Sequence, residues 1–282
     1  MKRFLLFLTV CTAALCASAS NKYVKPDGDY SLDGKSWANA FATIQTAVWG
    51  VPAGDTVFIA EGTYMQAFSV SDGQTILGGY NATTGERDIE LYETIIDGTD
   101  QGKWIIVKYD APPASLITID GITMQNADHS NEGGAMFMRG NMIVSNCKFV
   151  NCHGSNGGAI NFEQGNATVQ GVIRNCLIEL CSATSSGGAI RNKGALIENC
   201  IIRGCQGKYG TIRNENNGVV RNCVLYNNSA SVSGWPNSGG IFNESGEVIN
   251  CTLCNNWGEQ YAGLHSDGNV YNTVCWGNRA VD

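Results

Sequence analysis

Gly157-Gly158-Ala159-Ile160, followed by Asn175-Cys176-Leu177-Ile178, is one copy of a motif that decides the fold. Its first half returns as Gly133-Gly134-Ala135-Met136 and Gly187-Gly188-Ala189-Ile190. Looser copies are Tyr209-Gly210-Thr211-Ile212, Gly239-Gly240-Ile241-Phe242 and Ala262-Gly263-Leu264-His265. The second half returns as Asn146-Cys147, Asn199-Cys200, Asn222-Cys223 and Asn250-Cys251, and decays to Asn272-Thr273. With the second Gly as marker, the copies are spaced by 24, 30, 22, 30 and 23 residues. Self-similarity at that period means stacked structural repeats, each of which buries its apolar face on its neighbours.

Each copy holds short apolar strands on either side of its Asn, such as Met142-Ile143-Val144 before Asn146 and Cys147-Lys148-Phe149 after it. Asn tolerates the left-handed backbone of a sharp corner, and the Gly pair marks a second corner. Corner Asn side chains stacked about 4.8 Å apart are expected to hydrogen-bond along the stack. Variation in period is then loop length, as in 180–186 and 229–238.

Cysteine fits the same geometry. Twelve are present, two of them (Cys11 and Cys16) in the N-terminal leader. Cys147/Cys152, Cys176/Cys181 and Cys200/Cys205 share a spacing of five, and such partners along an extended chain lie roughly 16 Å apart, beyond disulfide reach. The expected state is two columns of buried thiols, with pairing between neighbouring rungs left open. A metal site is not expected, because only Cys251-Thr252-Leu253-Cys254 has close ligand spacing and the chain holds three His. No cofactor motif occurs.

Residues 1–19 read as a signal peptide: Lys2-Arg3, an apolar run from Phe4 to Leu15, then Ala17-Ser18-Ala19. The expected destination is the periplasm, the medium or the outer surface of a bacterial cell. No later run is long enough to span a bilayer. A net charge of −7 without a basic cluster argues against nucleic acid. Residues 20–55 read as a cap: a strand at Tyr23-Val24, then an amphipathic helix with Trp37, Phe41, Ile44 and Val48 on one face. Residues 56–282 read as the repeat body, with no cap sequence after Asn278. That end is expected to self-associate or to continue in further coils.

The passage from Tyr23 to Tyr64, including Tyr23-Val24-Lys25-Pro26-Asp27-Gly28 and Ala53-Gly54-Asp55-Thr56-Val57-Phe58-Ile59-Ala60, resembles the entry of secreted pectin-lyase-like proteins. The resemblance implies an all-β, right-handed parallel β-helix with an N-terminal capping helix. The Gly-Gly-Ala-Ile repeats also resemble those of polymorphic outer-membrane adhesins. The Arg-x-Pro-x-x-Arg signature of pectate lyases is absent, as are the polygalacturonase and pectin methylesterase sets. The resemblance therefore implies fold and not catalytic residues.

Function is expected where the copies differ. The row after Gly-Gly-Ala-Ile reads Phe137, Asn161, Arg191, Arg213, Asn243, Ser266, and it places Arg191 and Arg213 on adjacent rungs. Two stacked guanidiniums suit a carboxylated sugar; the competing reading pairs them with Glu215 and Glu163. Asp128, His129 and His153 form a second candidate, with the two His at equivalent positions of neighbouring rungs. His265 is read as replacing an apolar inward residue. The main expectation is an exported or surface-displayed module that binds glycan or another surface, with no identifiable catalytic set. The alternative is a polysaccharide lyase or glycoside hydrolase acting on an acidic polysaccharide.

Overall fold

The computed structural model describes residues 19–99, 105–107, 115–130, 132–165, 170–230 and 238–280. The stretch read as a signal peptide lies almost wholly outside these residues. No helix among them is long and apolar enough to cross a membrane.

One coil shows how the repeat folds. Met142–Ser145 lies in a first sheet, Lys148–Val150 in a second, His153–Gly154 in a third and Ile160–Glu163 in a fourth. Each strand pairs in parallel with its counterparts on the coils before and after. Repetition gives sheets of ten, nine, seven and eight strands in that order. The chain is a parallel β-helix.

Asn makes the corners. Between the first and second sheets the left-handed residue is Gly121, then Asn146, Asn175, Asn199, Asn222, Asn250 and Asn272, with φ from 48° to 71°. Between the second and third it is Asn126, Asn151, Leu180, Gly204, Asn227, Asn255 and Gly277. Stacked amide bonds occur at two corners, Asn175 to Asn146 (3.3 Å) and Asn151 to Asn126 (2.9 Å). The columns start from carboxylates: Asp120 accepts from Ser145 and Asn146, and Asp97 from Gln125 and Asn126. Burial alone would raise the Asp120 carboxyl. Hydrogen bonds from Arg87, Ser145 and Asn146, with the Arg87 charge, outweigh that and hold it low. Arg87 belongs to the polar excursion at 81–92, which is thereby pinned to the corner.

Leu180 is the exception. It holds φ of 57° with its side chain 60% exposed, so it carries the backbone penalty of a left-handed L-residue without burial to offset it. Leu180→Asn is expected to stabilise the chain by about 1 kcal/mol, read as a higher urea midpoint at unchanged slope.

The interior is built from stacked like residues. Val144, Ile173, Ile197, Val220 and Val248 align on the first sheet, and Phe149, Ile178, Ile202, Leu225 and Leu253 on the second. All ten are fully buried. Each contributes about 1.5–3 kcal/mol by leaving water. Cys147, Cys176, Cys200, Cys223 and Cys251 form one buried column, and Cys152, Cys181 and Cys205 a second. All ten described Cys are free thiols. Burial pushes Cys147 up to about 12, which keeps it an inert core thiol.

In the second column Cys gives way to Asn228, Asn256 and Asn278, which bond to one another and to inward carbonyls. A further amide column lies inside the fourth sheet at Asn192, Asn214 and Asn243. Continuous amide ladders therefore run through the interior as well as touching the corners.

The N-terminal helix is shorter than its apolar spacing implies, Ile44–Trp49. Thr43 caps it, accepting from Thr46 N, and Ile44, Ala47 and Val48 are buried. Trp37 and Phe41 fall outside. Phe41 is extended instead, donating to Tyr23 O and accepting from Lys25 N. Backbone pairing at the mouth of the first coil wins over the helical pattern. At the other end Val270, Tyr271, Val274 and Trp276 are exposed, because no coil lies beyond them among the described residues.

Candidate functional site

Pairing on the fourth sheet sets which side chains leave the coil together. Asn161 pairs with Arg191, Arg191 with Arg213, Arg213 with Phe242 and Phe242 with His265. The outer row is thus Phe137, Asn161, Arg191, Arg213, Phe242 and His265. Asn243 and Ser266, expected in it, face inward. The motif Gly239-Gly240-Ile241 lacks the Ala of earlier copies, so an alignment on its second Gly slips by one residue and reverses the faces. His265 consequently points out, where its ring stacks on Phe242 at 4.9 Å and meets Tyr261 at 4.4 Å.

The turn before this strand changes character along the helix. Gly133, Gly157 and Gly187 have no room for a side chain: an added Cβ would lie 2.0–2.3 Å from a backbone oxygen of their own turn. Counting back three from the register partners Ile212, Ile241 and Leu264, later coils place Tyr209, Ser238 and Tyr261 there. Two rings thus enter a surface that is bare backbone on the earlier coils. Tyr209 lies 6.2 Å from Phe242, and the Arg213 guanidinium lies 4.9 Å from the Tyr209 centroid. Lys208 approaches the same ring at 5.4 Å. Phe242 is buried by its neighbours, while Tyr209, Tyr261 and His265 stay half-buried.

Both arginines are held by carboxylates. Glu215 takes Arg191 at 2.9 Å and Arg213 at 3.2 Å, and Glu244 takes Arg213 at 2.8 Å. Arg191 also donates to Asn156 Oδ1 at 3.2 Å. Glu163 pairs with Lys193 and Arg139 instead. Pairing with Glu215 is therefore as expected, and Glu244 takes the place assigned to Glu163. Arg139, Glu163, Lys193 and Glu215 are register partners, so charge alternates from coil to coil along the row. Beside the Arg213 pair, Glu244, Glu247, Asp267 and Asn269 line a cleft of about 420 Å³. His265 Nε2 lies 3.5 Å from Asp267.

Asn161 is fully buried, and its amide donates to the Glu132 carboxylate, so it braces a loop and presents nothing outward. On the third sheet Asp128 pairs with His153, and His129 with Gly154. The two His are on neighbouring coils but not at equivalent positions, because alternation sends consecutive residues to opposite faces. His129 Nδ1 accepts from Glu132 N at 3.3 Å. Burial lowers its pKa, opposed by Glu132 and Asp128. His153 Nδ1 lies 2.7 Å from Ser182 Oγ. The six candidate residues therefore fall in two groups. Asn161, Arg191 and Arg213 belong to the fourth sheet, and Asp128, His129 and His153 to the third. Tyr209, Phe242, Tyr261, Glu244 and Ser182 were not singled out by sequence; a register anchored on Ile212 and Ile241 exposes the first four.

No protein-family model matches the chain, and no curated protein matches it in sequence. Solved structures do. Rice weevil pectin methyl esterase is similar over 85% of this chain and 88% of its own, at 12% identity and a TM-score of 0.45. Pectin methylesterase from Aspergillus niger is similar over 92% and 86%, at 15% and 0.45. A rhamnogalacturonan lyase is similar over 93% and 69%, at 18% and 0.43. The parallel β-helix of this chain rests on its own strand pairing.

Proposed function

We propose that this chain is an exported polysaccharide-engaging protein whose working surface is the outer face of the fourth sheet. The observation that carries the reading is the ring row Tyr209, Phe242, Tyr261 and His265, continuous with the Arg213–Glu244 pair. Half-buried Tyr209, Tyr261 and His265 offer flat faces to the CH groups of sugars, at little entropic cost because buried Phe242 already fixes them. Fixed ion pairs beside them present donors and acceptors together, which suits hydroxyls and carboxylates of the same chain. A polymer lying along the helix axis would cross these groups on three successive coils. The cleft with Glu244 and Asp267 favours a second reading, glycosidic bond cleavage, since that chemistry uses two flanking carboxylates.

One experiment reads both. The purified protein is run through gels containing neutral or uronate polysaccharides, and the same mixtures are assayed for new reducing ends or unsaturated products. Retardation by at least one polymer is expected, and Tyr209→Ala should weaken it about tenfold, the scale of one lost aromatic contact. Retardation by none, or retardation untouched by Tyr209→Ala, overturns the assignment of this face. Product release abolished by Asp267→Asn would establish the second reading.

A further inference from the structure

We propose that the outer row of the third sheet is a serine-nucleophile site that cleaves carboxylic esters. Four residues stand in register on four successive coils: Asp128 with His153, His153 with Ser182, and Ser182 with Gln206. Their chain neighbours Gly154, Ala183 and Gly207 are buried, so the strand alternation turns all four toward solvent. The row is therefore carboxylate, imidazole, hydroxyl and carboxamide, one rung of about 4.8 Å apart.

The central contact is that of a nucleophile with its base. His153 Nδ1 and Ser182 Oγ are 2.7 Å apart, within the range for proton transfer. With Nδ1 accepting, the ring proton sits on Nε2. Asp128, in register with His153 on the coil opposite to that of Ser182, places a carboxylate one rung from the ring on which imidazolium would form. Gln206, on the other flank of Ser182, carries an amide N–H that can meet an oxyanion, a role carboxamides fill. The constellation is recognised by geometry and roles, whatever fold carries it.

Acylation forms the bond from Ser182 Oγ to the ester carbonyl carbon as His153 Nδ1 takes the hydroxyl proton. Collapse breaks the bond from that carbon to the alcohol oxygen, and the alcohol leaves with the proton from His153. Water then attacks the acyl carbon by the same path, releasing the acid and restoring the Ser182 hydroxyl. No co-reactant other than water is needed. The row lies on an open outer face, which leaves the alcohol part free to be large. Ser155 and Asn156, in the turn that follows Gly154, connect it to the fourth sheet, where Asn156 receives Arg191. The assignment stands whether or not that sheet binds polysaccharide.

The test uses the whole exported chain and a fluorophosphonate probe, which serine nucleophiles attack with loss of fluoride. Intact mass should show one adduct, and tandem mass spectrometry of the wild-type protein should place it on Ser182. Uptake should vanish in Ser182→Ala, fall at least tenfold in His153→Gln and persist in Ser185→Ala. p-Nitrophenyl acetate should be hydrolysed faster than in buffer, and only at the buffer rate by Ser182→Ala. The proposal fails if wild-type protein takes up no probe or if the adduct maps elsewhere. It fails equally if the acetate is turned over no faster than in buffer, or equally fast without Ser182. Mapping on the wild-type chain keeps the test valid even if a variant misfolds.

Discussion

Replacing Gly158 by alanine is expected to destabilise the chain by more than about 4 kcal/mol, the range reserved for changes the backbone cannot absorb. A Cβ added at Gly158 would sit 2.0 Å from Gly188 O, 2.6 Å from Ser182 N and 2.8 Å from Ser182 O. All three are backbone atoms held by the stack. Ser182 N donates to Cys152 O, and Gly188 N donates to Gly210 O. Relief of the clash must therefore separate coils and break ladder bonds, each of which leaves a buried polar group unpaired. Gly54→Ala is the control. Gly54 has φ of 93° with nothing within 4 Å of an added Cβ, so only the left-handed backbone is penalised, at about 1–2 kcal/mol. Urea midpoints separate the two. Equal midpoints for Gly158→Ala and wild type would show that this corner is not close-packed.

That clash explains why the fold could be read from the sequence and the surface only in part. Gly158 and the corner Asn residues are dictated by backbone geometry, which repeats unchanged from coil to coil. Cys176 and Cys200 follow from the same rule, being small apolar groups just inside a corner. What varies is written in fewer residues. Strands of the third sheet are two residues long, too short to show alternation. His153, Ser182 and Gln206 each follow a Cys of the second column, which aligns them, but two-residue strands do not reveal which face they take. On the fourth sheet the Gly marker drifts by one residue at Gly239-Gly240, enough to turn His265 and Phe242 from one face to the other. The inward Ile positions, fixed by packing, keep the true register.

The inward amides test how far packing alone explains this stack. Asn214→Leu is expected to cost about 3 kcal/mol, although leucine has the same heavy-atom branching and the site is fully buried. Asn214 accepts from Asn192 Nδ2 at 2.8 Å and donates to Asn243 Oδ1 and Gly218 O, both at 2.8 Å. Leucine removes those bonds and leaves the Asn243 oxygen and the Gly218 carbonyl without this donor in a dry interior. It also meets backbone built close to the amide, since the Cβ position of Gly218 is 2.3 Å from Asn214 Oδ1. Cys200→Ala, in the neighbouring thiol column, deletes one small side chain and a weak donor, and should cost about 1–2 kcal/mol. The ordering discriminates between two accounts of the core. If burial of apolar volume were the whole of it, Asn214→Leu would gain stability and Cys200→Ala would lose it. If directional bonds fix the register of successive coils, the asparagine variant loses more, and its unfolding slope changes as the C-terminal coils fray separately.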